Sequence, residues 1–295
     1  APFFMLDDFI QYLITEKRFS EHTCIAYRKD LDQFMEFACV KSYPDLKEVE
    51  TPLIRGWMVS LLENEYTSNS VNRKISSLKS FFKWLLKNEK IDSNPARLVT
   101  APKKSKRLPS FVQEKDIESS NLLELFTDDF EGLRDQLMIE IFYQTGIRSS
   151  ELINLLDSNV GAEQIKVLGK RNKERVIPIT KNLVDLIEKY RTSKEKNGFS
   201  SSSFFLLKTG KKLYPKFVYR KINTYLGKVT ELEKKSPHVL RHTFATHMLN
   251  SGAGLEVLKE LLGHANLSAT QVYTHNSFSQ LVSIYSQSHP RGTKK

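Results

Sequence analysis

Histidine and arginine side chains are concentrated in the segment "SPHVLRHTFATHMLNSG", residues 236–252. His238 and Arg241 are three residues apart, so they share one face if this segment is helical, and Ser236 and Pro237 suit the cap and the first position of such a helix. The free amides and the positive dipole end of a first turn favour an anion, and a guanidinium matches two phosphate oxygens. The spacing therefore indicates a phosphate site, and a surface pair with no ligand is the alternative interpretation.

A metal site is a second alternative for the same helix, because His238 and His242 have the four-residue spacing of a metalloprotease helix. Val239 stands where such a helix carries its general-base glutamate, and no third ligand is evident in the sequence. We therefore predict neither a metal site nor a cofactor. His242 and His247 are interpreted as packed or hydrogen-bonded structural residues.

Two further segments contain side chains of the same chemical kind. In "QTGIRSSELINLL", Gly146 permits a sharp turn and Arg148 stands at a loop–helix junction, where an ion pair with Glu151 is the purely structural interpretation. The segment "LKELLGHANLSATQVYTH" ends one helix before His264 and presents Tyr273 nine residues later. On its own, Tyr273 would be interpreted as a half-buried aromatic residue.

The elements that must position these residues are mainly helical. Apolar residues recur at helical spacing from residue 3 to about 98, which predicts four main helices, and "LRDQLMIEIFYQTGI" predicts an amphipathic helix that ends at Gly146. By contrast, "QIKVLGKRNKERVIPI" (164–179) alternates apolar and polar residues around a polar turn and predicts a β-hairpin. The expected fold class is mainly α with a small antiparallel β-sheet.

A basic stretch with three prolines, "NPARLVTAPKKSKRLPS" (94–110), separates the two parts of the chain. We predict a helical N-terminal domain over residues 1–100, a linker over 101–110 and a mixed α+β domain over 111–295. An extended basic linker of this kind can lie along a nucleic-acid backbone.

The chain has 45 Lys and Arg against 34 Asp and Glu, a net charge of +11, which favours a polyanionic partner such as DNA, RNA or an anionic membrane. Solubility alone is the competing explanation of this charge. No apolar run approaches the roughly 20 residues of a membrane span and the N-terminus lacks signal-peptide features, so we predict a cytoplasmic protein without a membrane partner. The candidate phosphate contacts outside the motifs are Arg73, Lys74, Lys103, Lys104, Lys106 and Arg107.

In combination, the motifs T-G-x-R, G-K, H-x-x-R, L-G-H and Y resemble the signature of the tyrosine recombinases. The similarity extends over nearly the whole chain and is strongest to the bacterial Xer-type site-specific recombinases. "TGIRSSEL", "HVLRHTFATHML" and "LLGHANLSATQVYTH" occur in the same order, with 23 residues from Arg241 to His264 and nine from His264 to Tyr273. The resemblance implies six catalytic residues: Arg148, Lys170, His238, Arg241, His264 and Tyr273.

The resemblance also implies the role of each residue. Tyr273 would attack a scissile DNA phosphate, form a 3′-phosphotyrosyl link and release a 5′-hydroxyl, without metal or ATP. Arg148 and Arg241 would bind the non-bridging oxygens. His238 would assist proton transfer or orient the phosphate, and His264 would hydrogen-bond the phosphate. Lys170 would protonate the leaving oxygen. Because Arg171 stands where relatives often have Gly, Lys173 is the alternative general acid.

At the level of assembly, the resemblance implies a C-shaped clamp on double-stranded DNA. A helical core-binding domain and a catalytic domain would form the clamp, and the C-terminal helix would dock on a neighbouring protomer. Four protomers, alone or with a paralogous recombinase, would exchange strands between two sites through a Holliday junction. Control by a DNA translocase is common among such enzymes. The expected biological task is chromosome or plasmid dimer resolution, which serves chromosome partition and cell division.

Several alternatives share part of this description. A phage, transposon or integron integrase and a DNA invertase would use the same six residues, and a type IB topoisomerase would use the same chemistry without exchanging partners. We expect no additional arm-binding domain of the kind that many integrases carry, and this expectation favours the Xer-like interpretation. A DNA-binding protein without catalysis would have no need of Tyr273 or of the His-Arg-His spacing.

Overall fold

The computed structural model describes residues 2–102, 111–117, 120–169, 174–263 and 275–292. The chain divides into two compact units, residues 1–107 and 108–295, called the first and the second unit below. The described residues are mostly helical, and their strands form one two-stranded antiparallel sheet. The predicted fold class, mainly α with a small antiparallel sheet, is therefore confirmed.

The first unit is a bundle of helices around an aromatic core. Its helices are α1 (Pro2–Thr15), α2 (Glu21–Phe37), α3 (Tyr43–Lys47), α4 (Thr51–Glu63) and α5 (Ser68–Lys87). Ser20 and Thr67 cap α2 and α5, because each hydroxyl accepts a hydrogen bond from the backbone N–H three residues later. Phe34 packs edge-to-face against Trp57 and Phe82 in the centre of the core.

The second unit is built around one deeply buried helix. Its helices are α6 (Glu114–Ile117), α7 (Ser120–Leu123), α8 (Phe130–Thr145), α9 (Ser149–Ile153), α10 (Lys181–Lys196), α11 (Pro215–Val229), α12 (Pro237–Asn250), α13 (Leu255–Leu262) and α14 (His275–Ser288). Helix α8 packs against α10 and α12 and is buried along almost its whole length. The prediction of an amphipathic helix is wrong at this point, because polar side chains of α8 such as Arg134 and Asp135 are also buried and pair with each other.

The predicted hairpin is present as β1 (Gln164–Leu168) and β2 (Glu174–Pro178). The strands are antiparallel, with Gln164 opposite Pro178 and Leu168 opposite Glu174. Alternate residues of each strand face the core, including Ile165 and Ile177, which pair directly with each other. The turn that joins the strands, residues 170–173, lies outside the described residues.

The C-terminal part of α14 and the residues that follow it pack onto their own unit. The Tyr285 hydroxyl donates to the backbone oxygen of Gln144 at 2.9 Å, and His289 Nε2 donates to the backbone oxygen of Tyr143 at 3.2 Å. Arg291 forms an ion pair with Glu140 at 2.9 Å. The docking of α14 on a neighbouring protomer stays a prediction.

Across the parts of the chain that the structure describes, none of the helices combines the length and the apolar character needed to cross a membrane.

Candidate active site

The loop between α8 and α9 places Arg148. Helix α8 ends at Gly146, whose left-handed backbone (φ 58°, ψ 23°) directs the N–H back to the Phe142 oxygen. A Cβ atom at this position would lie 2.5 Å from the Phe244 ring, so both the conformation and the space require glycine. Arg148 then adopts an extended conformation and caps the short helix α9.

Arg148 is held by both its backbone and its side chain. Its N–H donates to Glu151 Oε2 and its Nη1 donates to Glu151 Oε1, each at 2.8 Å. Its Nη2 donates to the backbone oxygen of Gly263 at 3.1 Å. The structural interpretation, an ion pair with Glu151, is thus correct. The side chain of Arg148 nevertheless remains 27% exposed, so part of it is still accessible to a ligand.

Arg241 lies on α12 and faces the same loop. Its guanidinium donates to the backbone oxygens of Gly146 and, at 2.8 Å, of Leu262. Burial lowers the pKa of Arg241 to about 10, and the neighbouring Arg148 and Arg175 guanidiniums add to this effect. The three arginines therefore form one cationic group, opposed by the single carboxylate of Glu151.

His238 occupies the first turn of α12 and is exposed. Pro237 stands at the first helical position, as the sequence indicates, whereas the Ser236 hydroxyl makes no capping hydrogen bond. An imidazole at this end of the helix lies beside the free backbone amides and is accessible to a bound anion.

The other two histidines of α12, His242 and His247, make contacts within the protein. His247 is buried, and its Nδ1 forms a hydrogen bond with the Tyr143 hydroxyl at 3.0 Å, as expected for a packed residue. His242 lies partly buried, 3.5 Å from the Thr246 hydroxyl. Within the described ranges, no three His, Cys, Asp or Glu side chains lie close enough together to hold a metal ion.

Several predicted residues lie outside the described residues. Among the catalytic candidates these are Lys170, the alternative Lys173, His264 and Tyr273, and among the linker candidates they are Lys103, Lys104, Lys106 and Arg107. The described chain borders each of these gaps: β1 and β2 flank the hairpin turn, and Gly263 at the end of α13 immediately precedes His264.

The prediction that Lys74 contacts a phosphate requires a correction, because its side chain on α5 is buried. Its side chain is 4% exposed, and its ammonium donates to Asp30 Oδ1 at 3.0 Å and to Gln33 Oε1 at 2.6 Å. A buried carboxylate needs such partners, since an unpaired charge in the interior is costly. Arg73 also pairs with Asp30 but is 49% exposed and remains available to a phosphate.

Sequence reasoning missed one residue of this region, Arg175 on β2. Its guanidinium forms a two-pronged ion pair with Glu151, with both N···O distances at 2.9 Å, and its Nε donates to the Leu261 oxygen at 2.7 Å. Burial alone would raise the pKa of Glu151, but the bonds from Arg175 and Arg148 lower it to about 2. Glu151 is therefore ionised and holds both arginines.

Comparison with known families matches both units. The Phage integrase family matches residues 111–280, and the domain described as Phage integrase, N-terminal SAM-like domain, matches residues 6–89. Tyrosine recombinase XerC of Chlorobaculum parvum is 37% identical over 97% of this chain and 94% of its own length. Tyrosine recombinase XerC of Escherichia coli O157:H7 is 34% identical over 98% of this chain and 97% of its own.

Solved structures share the fold at lower identity. XerH site-specific recombinase bound to a palindromic difH substrate has a TM-score of 0.72 at 22% identity, covering 89% of this chain and 79% of that one. The Tn1549 transposon integrase in complex with transposon right end DNA has a TM-score of 0.73 at 17% identity, covering 94% of this chain and 97% of that one.

Proposed function

Because the chain belongs to the phage integrase family and is a Xer-like tyrosine recombinase, we propose that it cuts and rejoins double-stranded DNA through a covalent 3′-phosphotyrosyl intermediate. The observation that carries this proposal is the convergence of Arg148 and Arg241 on the end of α13, next to a single carboxylate. Two guanidiniums held in this way match the non-bridging oxygens of a phosphodiester. Phosphoryl transfer depends mostly on such positioning and charge stabilisation.

The reaction that we propose is a transesterification. The Tyr273 hydroxyl gives up its proton to His238 as its oxygen forms a bond to phosphorus, the bond from phosphorus to the 5′ oxygen breaks, and Lys170 supplies the proton that the leaving oxygen takes up. Arg148 and Arg241 stabilise the charge on the phosphate oxygens, and His264 forms a hydrogen bond with the phosphate. Since the phosphotyrosyl bond retains the energy of the phosphodiester, the 5′-hydroxyl of another strand can reverse the step without ATP.

We propose a tetramer on two recombination sites as the active assembly, formed by this protein alone or with a paralogous recombinase. Dimer resolution of chromosomes or plasmids in the cytoplasm is the proposed biological task, which would link the enzyme to chromosome partition and cell division. Support comes from the two XerC relatives, whose similarity extends over nearly the full chain. A DNA translocase that controls the reaction belongs to the same proposal.

The test is a trap for the covalent intermediate. A duplex is selected from a randomised pool by binding to the wild-type protein and nicked next to the cleavage position, so that the released fragment diffuses away and religation fails. The wild-type protein, Tyr273→Phe and the exposed-tyrosine control Tyr219→Phe are incubated with the end-labelled duplex without metal or ATP. A slowly migrating, protease-sensitive band on a denaturing gel is expected with the wild type and Tyr219→Phe only.

Two results would contradict the proposal. If Tyr273→Phe forms the band, another residue is the nucleophile. If the wild type binds the duplex tightly and forms no covalent product, the protein does not carry out strand cleavage by itself.

A further inference from the structure

Three successive backbone oxygens at the end of α13, residues 261–263, accept hydrogen bonds from three different arginines. The Leu261 oxygen accepts from Arg175 Nε at 2.7 Å, and the Leu262 oxygen accepts from Arg241 Nη2 at 2.8 Å. The Gly263 oxygen accepts from Arg148 Nη2 at 3.1 Å. A helix end leaves its last carbonyl groups without intrahelical partners and carries the negative end of the helix dipole. The end of α13 is therefore a fixed array of acceptors that sets the positions of the three arginines.

Arg175 differs from the other two arginines in its accessibility. It is 5% exposed, and each of its three nitrogens already donates within the protein, two to Glu151 and one to Leu261. Its burial, and not a lack of N–H donors, keeps Arg175 from direct contact with a DNA phosphate. Arg148, in contrast, keeps an exposed part of its guanidinium.

The same two oxygens of Glu151 serve both arginines. Oε1 accepts from Arg175 Nη1 and Arg148 Nη1, and Oε2 accepts from Arg175 Nη2 and the Arg148 backbone N–H. Because the two-pronged pair with Arg175 allows one orientation of the carboxylate plane, it also determines where Arg148 can donate. Without Arg175, a buried carboxylate would lose its main partner and would reorient or take up a proton.

We propose that Arg175 is a positioning residue for strand cleavage, acting through Glu151 on Arg148 and through Leu261 on the end of α13. This inference rests on the proposed function, since it concerns the reaction described there. It also ties the hairpin strand β2 to the loop that carries Arg148 and to the segment that immediately precedes His264 in the chain. A purely structural role, in which Arg175 only fills space beside Gly263, is the alternative.

The test is a double-mutant cycle on the nicked-duplex reaction described above. Arg175→Lys keeps a cation near Glu151 but cannot form the two-pronged pair and the bond to Leu261 together, and Arg148→Lys changes the group through which Arg175 acts. The control is Arg134→Lys, at another fully buried arginine, which pairs with Asp135 on α8 outside the site. For each variant we would measure the melting temperature, the Kd for the duplex and the single-turnover rate of covalent complex formation at saturating protein.

The proposal predicts that Arg175→Lys changes the rate of the chemical step much more than the affinity for DNA. Arg175→Lys should lower the single-turnover rate about 10- to 100-fold with little change in Kd, because small displacements of a phosphate-binding group are costly in the transition state. In the background of Arg148→Lys, the same substitution should have almost no further effect on the rate, since both act through one group. Arg134→Lys should lower the melting temperature and leave the rate of the folded protein unchanged.

Three results would overturn the proposal: a folded Arg175→Lys that reacts at the wild-type rate, rate losses of Arg175→Lys and Arg148→Lys that multiply, or failure of Arg175→Lys to fold, which would mark a structural role. All three leave the wild-type covalent band in place. Absence of that band with the wild type would instead contradict the proposed function.

Discussion

Two buried carboxylates, Asp30 in the first unit and Glu151 in the second, each accept hydrogen bonds from two cationic side chains. Asp30 pairs with Lys74 at 3.0 Å and with Arg73, and it also accepts from the Ser77 hydroxyl at 3.0 Å. Glu151 pairs with Arg175 at 2.9 Å and with Arg148 at 2.8 Å. In both clusters one cation is buried with the carboxylate and the other remains partly exposed.

The clusters differ in the charge that surrounds them. The third arginine of the site, Arg241, donates to backbone oxygens, and its lowered pKa reflects its burial and the two neighbouring guanidiniums. Three cations near one carboxylate leave a positive excess that suits a phosphate, whereas the Asp30 cluster joins α2 to α5 inside a helical bundle. A buried ion pair can thus serve a binding site or a core, and the neighbouring charges decide which.

The largest expected effect is the loss of catalytic rate on substitution of Arg148. Arg148→Gln should lower the single-turnover rate of covalent complex formation about 10²- to 10³-fold, because one donor to the phosphate oxygens is lost. Arg191→Gln is the matched control: Arg191 is also 27% exposed and also pairs with a glutamate three residues away at 2.8 Å, but outside the site. Equal losses in both variants would show that Arg148 has no special role in the chemistry.

The second prediction concerns the pH dependence of stability. The pKa of Glu151 is lowered from 4.5 to about 2, so its ionised form stabilises the fold above pH 4.5, and this contribution, about 3 kcal/mol, is lost as the pH falls towards 2. The stability advantage of the wild type over Glu151→Gln should therefore shrink as the pH falls from 4.5 to 2. Hydrogen exchange of the α8 amides measures this difference. Glu188→Gln, at an exposed carboxylate, should show little change, and a pH-independent difference for Glu151→Gln would contradict the prediction.

The third prediction tests the Asp30 cluster. Lys74→Met should lower the free energy of unfolding of the first unit by about 2 kcal/mol, since Asp30 loses a buried partner but keeps Arg73 and Ser77. Both tryptophans, Trp57 and Trp84, lie in this unit, so tryptophan fluorescence during urea unfolding measures it selectively. Lys83→Met, at an exposed position of the same helix, should change the value by less than about 0.5 kcal/mol.

The smallest expected effect concerns DNA affinity through the first unit. If Arg73 contacts a phosphate, Arg73→Gln should weaken binding of the selected duplex and reduce the slope of log K against log salt by about one. Folded Lys74→Met should keep the wild-type slope, because the Lys74 ammonium is buried against Asp30. A reduced slope for Lys74→Met alone would reverse the roles of these two residues.

Much of the site could be anticipated from short segments. Gly146, Arg148, His238 and Arg241 lie in motifs whose caps and turns depend on neighbouring residues, so their local placement follows from local sequence. The structure brings Arg148 and Arg241 together at the end of α13, as a shared phosphate site requires. Lys170, His264 and Tyr273 stay predictions, supported by the motif order.

Arg175 was missed because its immediate neighbours, Glu174 and Val176, give no indication of the Glu151 and Leu261 partners that hold it. A signal was present: in "ERVIP", Arg175 occupies the same face as Ile177, which the alternation directs inward. A charged residue at an inward position needs a buried partner, and that partner, Glu151, is 24 residues away in sequence.

The sequence by itself determined the family, the helix ends around the motifs, the hairpin and the order of the candidate residues, because these depend on the chain within a few turns of each residue. Only the tertiary structure decided which cations are buried. Lys74 meets Asp30 across 44 residues and Arg175 meets the Leu261 oxygen across 86. The cost of burying a charge is met by partners that are distant in sequence, so local spacing does not distinguish a lysine or arginine that binds phosphate from one that supports the core.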